Sequence, residues 1–377
     1  MDELFELEQE LNETNEEEEI IQTDNPFFSI PTKPFIKFLQ VATKFAWRTG
    51  RDLTSKSVTL TLDDNKENVI CRATDFDNYF SLSIPVLKTS NQSLKEPLIL
   101  NTQNLIKFIR LCKNSITFMR GLDGSNPHIL VCGQWVQVEP IETESSIYIN
   151  NDIIGDKYNT TLPVLANLIS VVSSGTNPKD RVINFTNKGI YLSHFWSMIN
   201  VEYESPIDFT LTEREASILR FMTNGDKDRD ITIFKTNSDL ARIGFMTPTA
   251  TFLIIHRTPE NVKDIKFDTK FSIEVETSLL NKIVKISEDI PTSSNKLGFK
   301  YNNGFSIIVK STLSSISYPI PVLKHGVIPE LETSIIQTST VANLLKPITE
   351  DVVNITWNEN KLYISSPSVK ISLEIER

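Results

Sequence analysis

The segment "KPFIKFLQVATKFAWRTGR", from Lys33 to Arg51, predicts a helix that opens the folded part of the chain. Wound at about 100° per residue, the segment separates into an apolar and a polar side. The apolar side consists of Phe35, Phe38, Leu39, Ala42, Phe45 and Ala46. The polar side consists of Lys37, Gln40, Lys44, Arg48 and Arg51, within an arc of about 80°. A basic helical face is unexpected in a chain whose formal net charge is −10.

The negative charge is concentrated at the N-terminus. Residues 1–24 contain eleven Asp and Glu and no Lys or Arg, which leaves 37 acidic and 38 basic residues in the rest. We therefore predict an acidic, disordered tail over residues 1–25, followed by a nearly neutral body that carries positive charge in one place.

The bulk composition indicates an intracellular globular protein. A chain of 377 residues with 40% hydrophobic residues suggests two or three domains. No run of eighteen apolar residues predicts a membrane span, and the acidic N-terminus is unlike a signal peptide. Three cysteines without a C-x-x-C spacing are typical of reduced thiols, so we expect a cytoplasmic protein.

The order of elements that begins with this helix recurs along the chain. The helix is followed by three strand-like segments, "SVTLTLD", "NVICRAT" and "NYFSLSIPV", then by "LIL", a second helix "NTQNLIKFIRLCKN" and three more strands. The same order restarts at "LPVLANLISVVSS" and again at "FSIEV" with "ETSLLNKIVKISEDI". Each copy spans about 110 residues and is itself doubled.

The repeat predicts three domains of α+β class, with mainly antiparallel sheets and two helices on one face of each domain. We place them at residues 26–141, 146–257 and 268–377, separated by the polar segments "EPIETESS" and "HRTPENVKD". These ranges are called unit 1, unit 2 and unit 3 below. A polar stripe recurs on the exposed side of the helices, and it is strongly basic only in unit 1.

This arrangement resembles the bacterial sliding clamp, the β subunit of DNA polymerase III, in a divergent or phage-type form. The resemblance covers residues 30–377 and depends mainly on the three two-helix units. Local similarities lie in "VICRATDFDNYFSLSIPV", "FSIEVETSLLNKIVKI" and "TSIIQTSTVANLLKPITEDVVNITW". The resemblance implies a homodimeric ring of six domains, with sheets outside and helices lining a hole for duplex DNA.

The family's function implies a role for the basic stripes. Lys and Arg facing the hole would contact phosphates without reading bases, so binding would be independent of sequence and sensitive to salt. The ring would tether a replicative DNA polymerase and would need a clamp loader, without a catalytic activity, cofactor or metal of its own. The predicted DNA-binding residues are Lys37, Lys44, Arg48, Arg51, Lys107, Arg110, Lys113, Arg220, Lys285 and Lys346.

The family also has a hydrophobic pocket for partner peptides between its second and third domains. The resemblance assigns that pocket here to His194, Phe195, Trp196, Met198, Pro259, Leu373 and Ile375. The turn at His194–Trp196 is equally compatible with a simple cap on a strand pair. The chain ends in "LEIER" where the family has a Met-Pro-Met-Arg-like ending, so its preferred peptide differs.

The resemblance further implies a dimer contact between the last strand of unit 1 and unit 3. The candidate contact residues are Trp135, Val136, Val138, Ile286 and Ile290. Trp135 is equally compatible with a core position. The segment "DELFEL" in the acidic tail contains a Leu-Phe pair that could occupy the peptide pocket of its own chain.

Other classes of protein fit less well. The four histidines are scattered, and neither a Gly-rich phosphate loop nor a G-x-S-x-G sequence is present. Asp63–Asp64 and Asp75–Asp77 are acidic pairs at predicted turns, where Asp is common without a metal. A structural β-rich repeat protein explains the repeats and the acidity but not the recurring polar helix faces. A clamp-like ring that recruits transcription or repair factors remains an alternative.

Overall fold

A computed structural model describes residues 27–46, 56–90, 97–120, 127–131, 134–138, 154–161, 165, 182–194, 197–223, 230–236, 241–259, 262, 265–289, 296–310, 315–346 and 348–375. The acidic segment 1–25, the connections 142–145 and 260–261, and the predicted residues Arg48, Arg51, Phe195, Trp196 and Ile290 lie outside these ranges. So does the first predicted helix of unit 2, except for Leu165.

Unit 1 contains two helices and nine strands within the described residues. In chain order they are β1 (Phe27–Pro31), α1 (Thr32–Ala46), β2 (Ser57–Leu62), β3 (Asn68–Thr74), β4 (Tyr79–Pro85), β5 (Lys88–Thr89), β6 (Leu98–Asn101), α2 (Thr102–Ile109), β7 (Ser115–Met119), β8 (His128–Val131) and β9 (Gln134–Gln137).

Units 2 and 3 repeat this order. Unit 2 contains β10 (Ile154–Thr161), β11 (Val182–Thr186), β12 (Gly189–His194), β13 (Ser197–Val201), β14 (Phe209–Thr212), α3 (Glu213–Thr223), β15 (Asp230–Thr236), β16 (Arg242–Met246) and β17 (Ala250–Ile255). Unit 3 contains a short 3₁₀ helix (Thr269–Phe271), β18 (Ile273–Glu276), α4 (Thr277–Asp289), β19 (Lys296–Tyr301), β20 (Phe305–Lys310), β21 (Ser315–Ile320), β22 (Val322–His325), β23 (Leu331–Gln337), α5 (Thr338–Leu345), β24 (Val352–Trp357), β25 (Lys361–Ser365) and β26 (Val369–Glu374).

The strands form four antiparallel sheets, and two of these sheets cross from one unit to the next. The strand orders are β5-β1-β7-β8-β9, β10-β15-β16-β17-β4-β3-β2-β6, β14-β11-β12-β13-β26-β25-β24-β18-β22 and β21-β20-β19-β23. Strand β17 of unit 2 pairs with β4 of unit 1, and β26 of unit 3 pairs with β13 of unit 2. The units are therefore joined by continuous backbone ladders as well as by the chain.

The core is built from the apolar faces of these strands and helices. Phe35, Phe38 and Phe45 of α1 are fully buried and pack over the sheets of unit 1. The amphipathic pattern of "KPFIKFLQVATKFA" therefore forms a helix with the predicted buried side. Cys71 on β3 is buried as well, and this burial raises the pKa of its thiol far above the usual range.

Several helices end earlier than the sequence predicted. Helix α2 ends at Ile109 rather than near Asn114, because the Leu111 and Cys112 amides turn back to the carbonyls of Phe108 and Ile109. The turn lets Ser115 begin β7 opposite Pro31 of β1. Helix α5 ends at Leu345, two residues before Pro347, where the residue preceding proline disfavours helical geometry.

None of the helices in the described part of the chain has the length and apolar character that crossing a bilayer requires.

Candidate functional site

The described helices lie against one another in a layer. Helix α1 packs against α2 within unit 1, and α4 packs against α5 within unit 3. Helix α1 also contacts α3 across the boundary between units 1 and 2. The helix faces that do not contact the sheets therefore form a surface that spans more than one unit. Five of the ten predicted DNA-binding residues lie within these helices, namely Lys37, Lys44, Lys107, Arg220 and Lys285.

The basic stripe on α1 is partly covered by other residues of the protein. Lys37 and Lys44 are half-buried. The Lys44 ammonium donates a hydrogen bond to the Ser217 hydroxyl of α3 at 2.9 Å. Lys44 thus contacts unit 2, a role that the helical pattern did not indicate.

The second helix of unit 1 presents its cations more openly. Asn101 caps the N-terminus of α2, because its side chain accepts hydrogen bonds from the Gln103 and Asn104 amides at 2.9 and 3.3 Å. The cap holds Leu105 and Ile109 against the core. The opposite face then exposes Lys107 and, at the helix end, Arg110, and Lys113 is exposed in the turn that follows.

The helices of units 2 and 3 carry fewer cations. Arg220 lies within α3, although its side chain is outside the described part of the structure. Lys285 on α4 and Lys346, just after α5, are both exposed. Among the described residues, Lys107, Arg110 and Lys113 are the exposed predicted cations of unit 1, and the DNA-binding role of these residues stays a prediction.

Helix α3 begins with a capping box between Thr212 and Glu215. The Thr212 amide donates to the Glu215 carboxylate at 2.7 Å, and the Glu215 amide donates back to the Thr212 hydroxyl at 3.4 Å. Arg257 also contacts the buried Glu215 carboxylate at 2.9 Å. This arrangement fixes where α3 starts and hence where Arg214 and Ser217 face unit 1.

The predicted partner-peptide residues are only partly brought together. Ser197 lies opposite Leu373, and Met198 lies opposite Ser372, in the β13–β26 pair. Since neighbouring residues of a strand point to opposite faces, Met198 and Leu373 lie on different faces of this sheet. Leu373 is also buried in the core, so it does not line an open surface.

Three other predicted pocket residues belong to the described part of the chain. Ile375 is half-buried against the core, and its amide bonds to the Asn360 carbonyl at 3.0 Å. Pro259 is half-buried in the segment that leaves β17. His194 ends β12 opposite Ser197, where the two strands meet in a hairpin. The hairpin residues Phe195 and Trp196 lie outside the described ranges.

Of the predicted dimer contacts, Trp135 and Val136 lie on β9, which ends its sheet, and Ile286 lies on α4. Among the described strands, β9 pairs only with β8, and β21 pairs only with β20. Trp135 and Val136 lie on β9, and the buried indole N–H of Trp135 has no acceptor within the described structure. Val138 is buried in the core, so it is not available for a contact. Ile286 of α4 is exposed.

Ile316 on β21 was missed by the sequence reasoning. Its side chain is 43% exposed, which is unusual for an isoleucine in a strand. A signal was present, because "IPVLK" occurs at residues 84–88 and again at 320–324. Aligning the two copies makes Ile316 equivalent to Phe80, which is buried under the neighbouring unit.

Among the residues that the structure describes, no three His, Cys, Asp or Glu side chains lie together as metal ligands would. The acidic pairs have structural partners instead. Asp63 accepts the Glu67 amide at 2.8 Å and the Asn68 side-chain amide at 3.0 Å, which closes the β2–β3 turn.

The described helices pack beside antiparallel sheets that run from unit to unit, and this fold is similar to those of solved DNA sliding clamps. The DNA polymerase III β subunit of Borrelia burgdorferi matches with a TM-score of 0.71 at 13% sequence identity, over 94% of this chain and 98% of that chain. The sliding clamp of Bacillus subtilis gives 0.72 at 12% identity, over 94% and 99%. The β subunit of Thermotoga maritima gives 0.70 at 12% identity, over 93% and 99%.

Neither a protein-family model nor a curated protein sequence matches this chain. The structural similarity nevertheless extends over nearly the whole chain. It confirms the predicted α+β clamp fold and the predicted resemblance to a divergent DNA polymerase III β subunit.

Proposed function

We propose that this protein is a sliding clamp, a non-catalytic ring of two chains that encircles duplex DNA and tethers a DNA polymerase in the cytoplasm. In this proposal a loader opens the ring, and units 1 to 3 are its three domains, at residues 26–141, 146–257 and 268–377. The observation that carries the proposal is the pattern of strand pairing at the two boundaries between units.

The same rule describes both boundaries. In each unit, three strands follow the position of the first helix of the repeat. The third of these strands pairs antiparallel with the last strand of the next unit, as β4 does with β17 and β13 with β26. Applying the rule once more pairs β21 of unit 3 with β9 of unit 1. Both of these strands end their sheets, so the pair has to form between two chains.

The existing boundaries also predict the register of this contact. The third residue of each last strand lies opposite an apolar residue of the neighbouring unit, as Phe252 does opposite Phe80 and Ile371 opposite Ile199. The third residue of β9 is Val136, and Ile316 is the equivalent of Phe80. We therefore expect Val136 of one chain to face Ile316 of the other.

Disulfide trapping tests this register. Directly opposite residues in an antiparallel pair have Cα atoms about 4.5–5.5 Å apart, which suits a disulfide. With Cys71, Cys112 and Cys132 replaced by serine, Val136→Cys together with Ile316→Cys is expected to give covalent dimers on oxidation. Val136→Cys with Ser317→Cys is the matched control, because a shift of one residue turns the side chain to the other face. Equal cross-linking of both pairs, or none, contradicts the register.

The same cysteine pair tests encirclement without a loader. Oxidation in the presence of nicked circular DNA is expected to produce rings that remain on the DNA in about 1 M salt, where electrostatic contacts are screened. A restriction cut that linearises the circle should then release them. Covalent dimers that wash off circular DNA as readily as off linear DNA contradict the proposed function.

The DNA-facing surface is tested by charge reversal on α2. Lys107→Glu with Arg110→Glu is expected to weaken binding to duplex DNA and to lower its salt dependence, by about 0.9 in slope for each phosphate that is no longer neutralised. Lys188→Glu with Lys300→Glu reverses two exposed lysines that lie on strands and turns of units 2 and 3. If this control weakens binding as much as the α2 variant, the helix layer is not the DNA-facing surface.

A further inference from the structure

The turn between β3 and β4 inserts an acidic side chain between units 1 and 2. Asp75 in this turn is buried and forms an ion pair with Arg214 of α3, with 2.9 Å between carboxylate oxygen and guanidinium nitrogen. The other carboxylate oxygen accepts the Asn78 amide at 2.7 Å. Asp75 therefore closes its own turn and binds a cation from the next unit.

Arg214 joins a second part of unit 1 to the same point. Its guanidinium donates to the carbonyl of Lys44 in the last turn of α1. The guanidinium carbon also lies 5.5 Å from the centre of the Phe45 ring, in cation–π geometry. One arginine of unit 2 thus holds both the end of α1 and the β3–β4 turn.

A second arginine binds the backbone of this turn. Arg242 at the start of β16 donates to the carbonyls of Phe76 and Asp77 at 2.9 and 3.0 Å. Burial lowers the pKa of Arg242, while the charges of Asp77 and Asp75 oppose this shift. Two arginines, one from a helix and one from a strand of unit 2, therefore meet a single turn of unit 1.

The apolar side of the boundary is continuous as well. Phe80 of β4 and Phe252 of β17 meet edge to face with their ring centres 6.5 Å apart. They belong to one series of ring contacts that passes through both units. In order the rings are Phe28, Phe118, Phe35, Phe38, Phe80, Phe252, Phe245, Phe209, Phe185 and Tyr203.

We propose that units 1 and 2 form a single rigid body that opens and unfolds as one, and that the Asp75–Arg214 ion pair holds the two units together. Separating the units would break the Asp75–Arg214 ion pair and the Arg242 hydrogen bonds to the turn, and it would interrupt the series of rings between Phe80 and Phe252. The inference goes beyond the proposed function, since it concerns the chain itself and holds whether or not the protein binds DNA.

Hydrogen exchange of the full-length protein, followed by mass spectrometry, tests whether the Asp75–Arg214 ion pair holds the two units together. In the wild type, amides of β4 and β17 are expected to exchange as slowly as those of β3 and β16, which lie inside the two units. Asp75→Asn keeps the shape of the side chain but removes its charge. It is expected to speed exchange of β4 and β17 about tenfold and of β2 and β15 by a similar factor, because the two units open together.

Glu274→Gln is the matched control, because it breaks the exposed Lys324–Glu274 pair within unit 3 and should leave β4 and β17 unchanged. The proposal is overturned if the wild-type β4 and β17 amides exchange about tenfold faster than β3 and β16. It is overturned equally if Asp75→Asn exchanges at the boundary like the wild type, or if β4 and β17 exchange faster while β2 and β15 exchange as in the wild type, because the boundary then opens on its own.

A second measurement needs no variant. In sub-denaturing urea the exchange of β3 and of β16 in the wild type is expected to follow one common dependence on urea, because the two units open together. Two distinct dependences, one for each unit, would overturn the proposal even if Asp75→Asn failed to fold.

Discussion

Phe76 has a backbone conformation that a bulky side chain rarely adopts. Its φ angle is 70°, in the left-handed region, and its ring is 53% exposed. The conformation is imposed from both sides, because the Thr74 hydroxyl accepts the Phe76 amide at 3.0 Å and Arg242 binds the Phe76 carbonyl. The turn that carries Asp75 is therefore held in a strained shape by its own contacts.

Replacing Phe76 by glycine should relieve this strain. Glycine adopts positive φ without a steric penalty, and the backbone contacts of the turn are retained, so Phe76→Gly is expected to stabilise the fold by up to about 1 kcal/mol. The free energy of unfolding in urea measures the effect.

Asn303, with φ of 52°, provides the comparison, since asparagine already tolerates this region. Asn303→Gly is expected to change stability much less than Phe76→Gly does. Destabilisation by Phe76→Gly would mean that the exposed ring contributes contacts that outweigh the strain.

Glu350 links the start of β24 to the turn between β25 and β26. Burial raises the pKa of its carboxyl, but hydrogen bonds from Ser368 and Ser366 outweigh burial and lower the pKa below the usual value. A folded-state pKa below the unfolded one gives stability that is present above the unfolded pKa and is lost as pH falls through the folded pKa.

We therefore expect Glu350→Gln to be less stable than the wild type above about pH 5, where both folded and unfolded carboxyls are ionised. The difference should shrink as the pH is lowered towards about 3. Urea denaturation across this range measures it, with Glu359→Gln as a control for an exposed acid. A difference that stays constant with pH would mean that the charge of Glu350 is not responsible.

Single residues also mark the limit of the sequence reasoning. The helical pattern placed Lys44 correctly on the polar side of α1. It could not show that the Lys44 ammonium reaches Ser217, because that contact joins residues far apart in the sequence and in different units. Asp75 was likewise interpretable only as a turn residue, since its partner Arg214 is distant in the chain.

Among the secondary-structure elements, α2 is short for a helix that carries predicted DNA contacts. Its eight residues are too few to form a stable helix alone, so the Asn101 cap and the packing of Leu105 and Ile109 have to hold it. Asn101→Ala is expected to cost about 1 kcal/mol. The free energy of unfolding measures the loss, and Gln103→Ala, on the exposed side of the same turn, should cost far less.

Helix and strand identity could be predicted well from periodicity, because the apolar faces of α1 and α4 are continuous in sequence. Helix ends were less predictable. The end of α5 is signalled in the sequence by Pro347. The end of α2 is set instead by the pairing of β7 with β1, which joins segments that are far apart in the chain. The pairing of β4 with β17 is not encoded by any local pattern, because it joins strands from two repeats.

For the whole molecule, the distribution of charge separates the tail from the body. Removing residues 1–24 changes the formal net charge from −10 to +1. If the proposed DNA-facing surface is correct, the shortened chain should associate with duplex DNA faster than the full-length chain at low salt. This difference in rate should fade at about 0.15 M salt, because the long-range repulsion between the acidic tail and DNA is then screened.

Stopped-flow measurements across ionic strength test this expectation. A full-length variant with Glu16, Glu17, Glu18 and Glu19 changed to glutamine keeps the length of the tail and should show part of the same gain. Equal association rates for all three proteins would mean that the tail charge does not act on the body.

The unpaired strands β9 and β21 have a consequence for assembly beyond one dimer. If β9 of one chain pairs with β21 of another as proposed, each added chain would pair through one of these edges and leave the other open. In the proposed ring, the angles at the boundaries between units would have to close this series of contacts after two chains. A substitution that altered the angle at either internal boundary would leave the edges intact and yield open helical filaments, visible by electron microscopy and growing with concentration. In the proposed ring, the rigid body of units 1 and 2 would therefore also protect the protein against polymerisation.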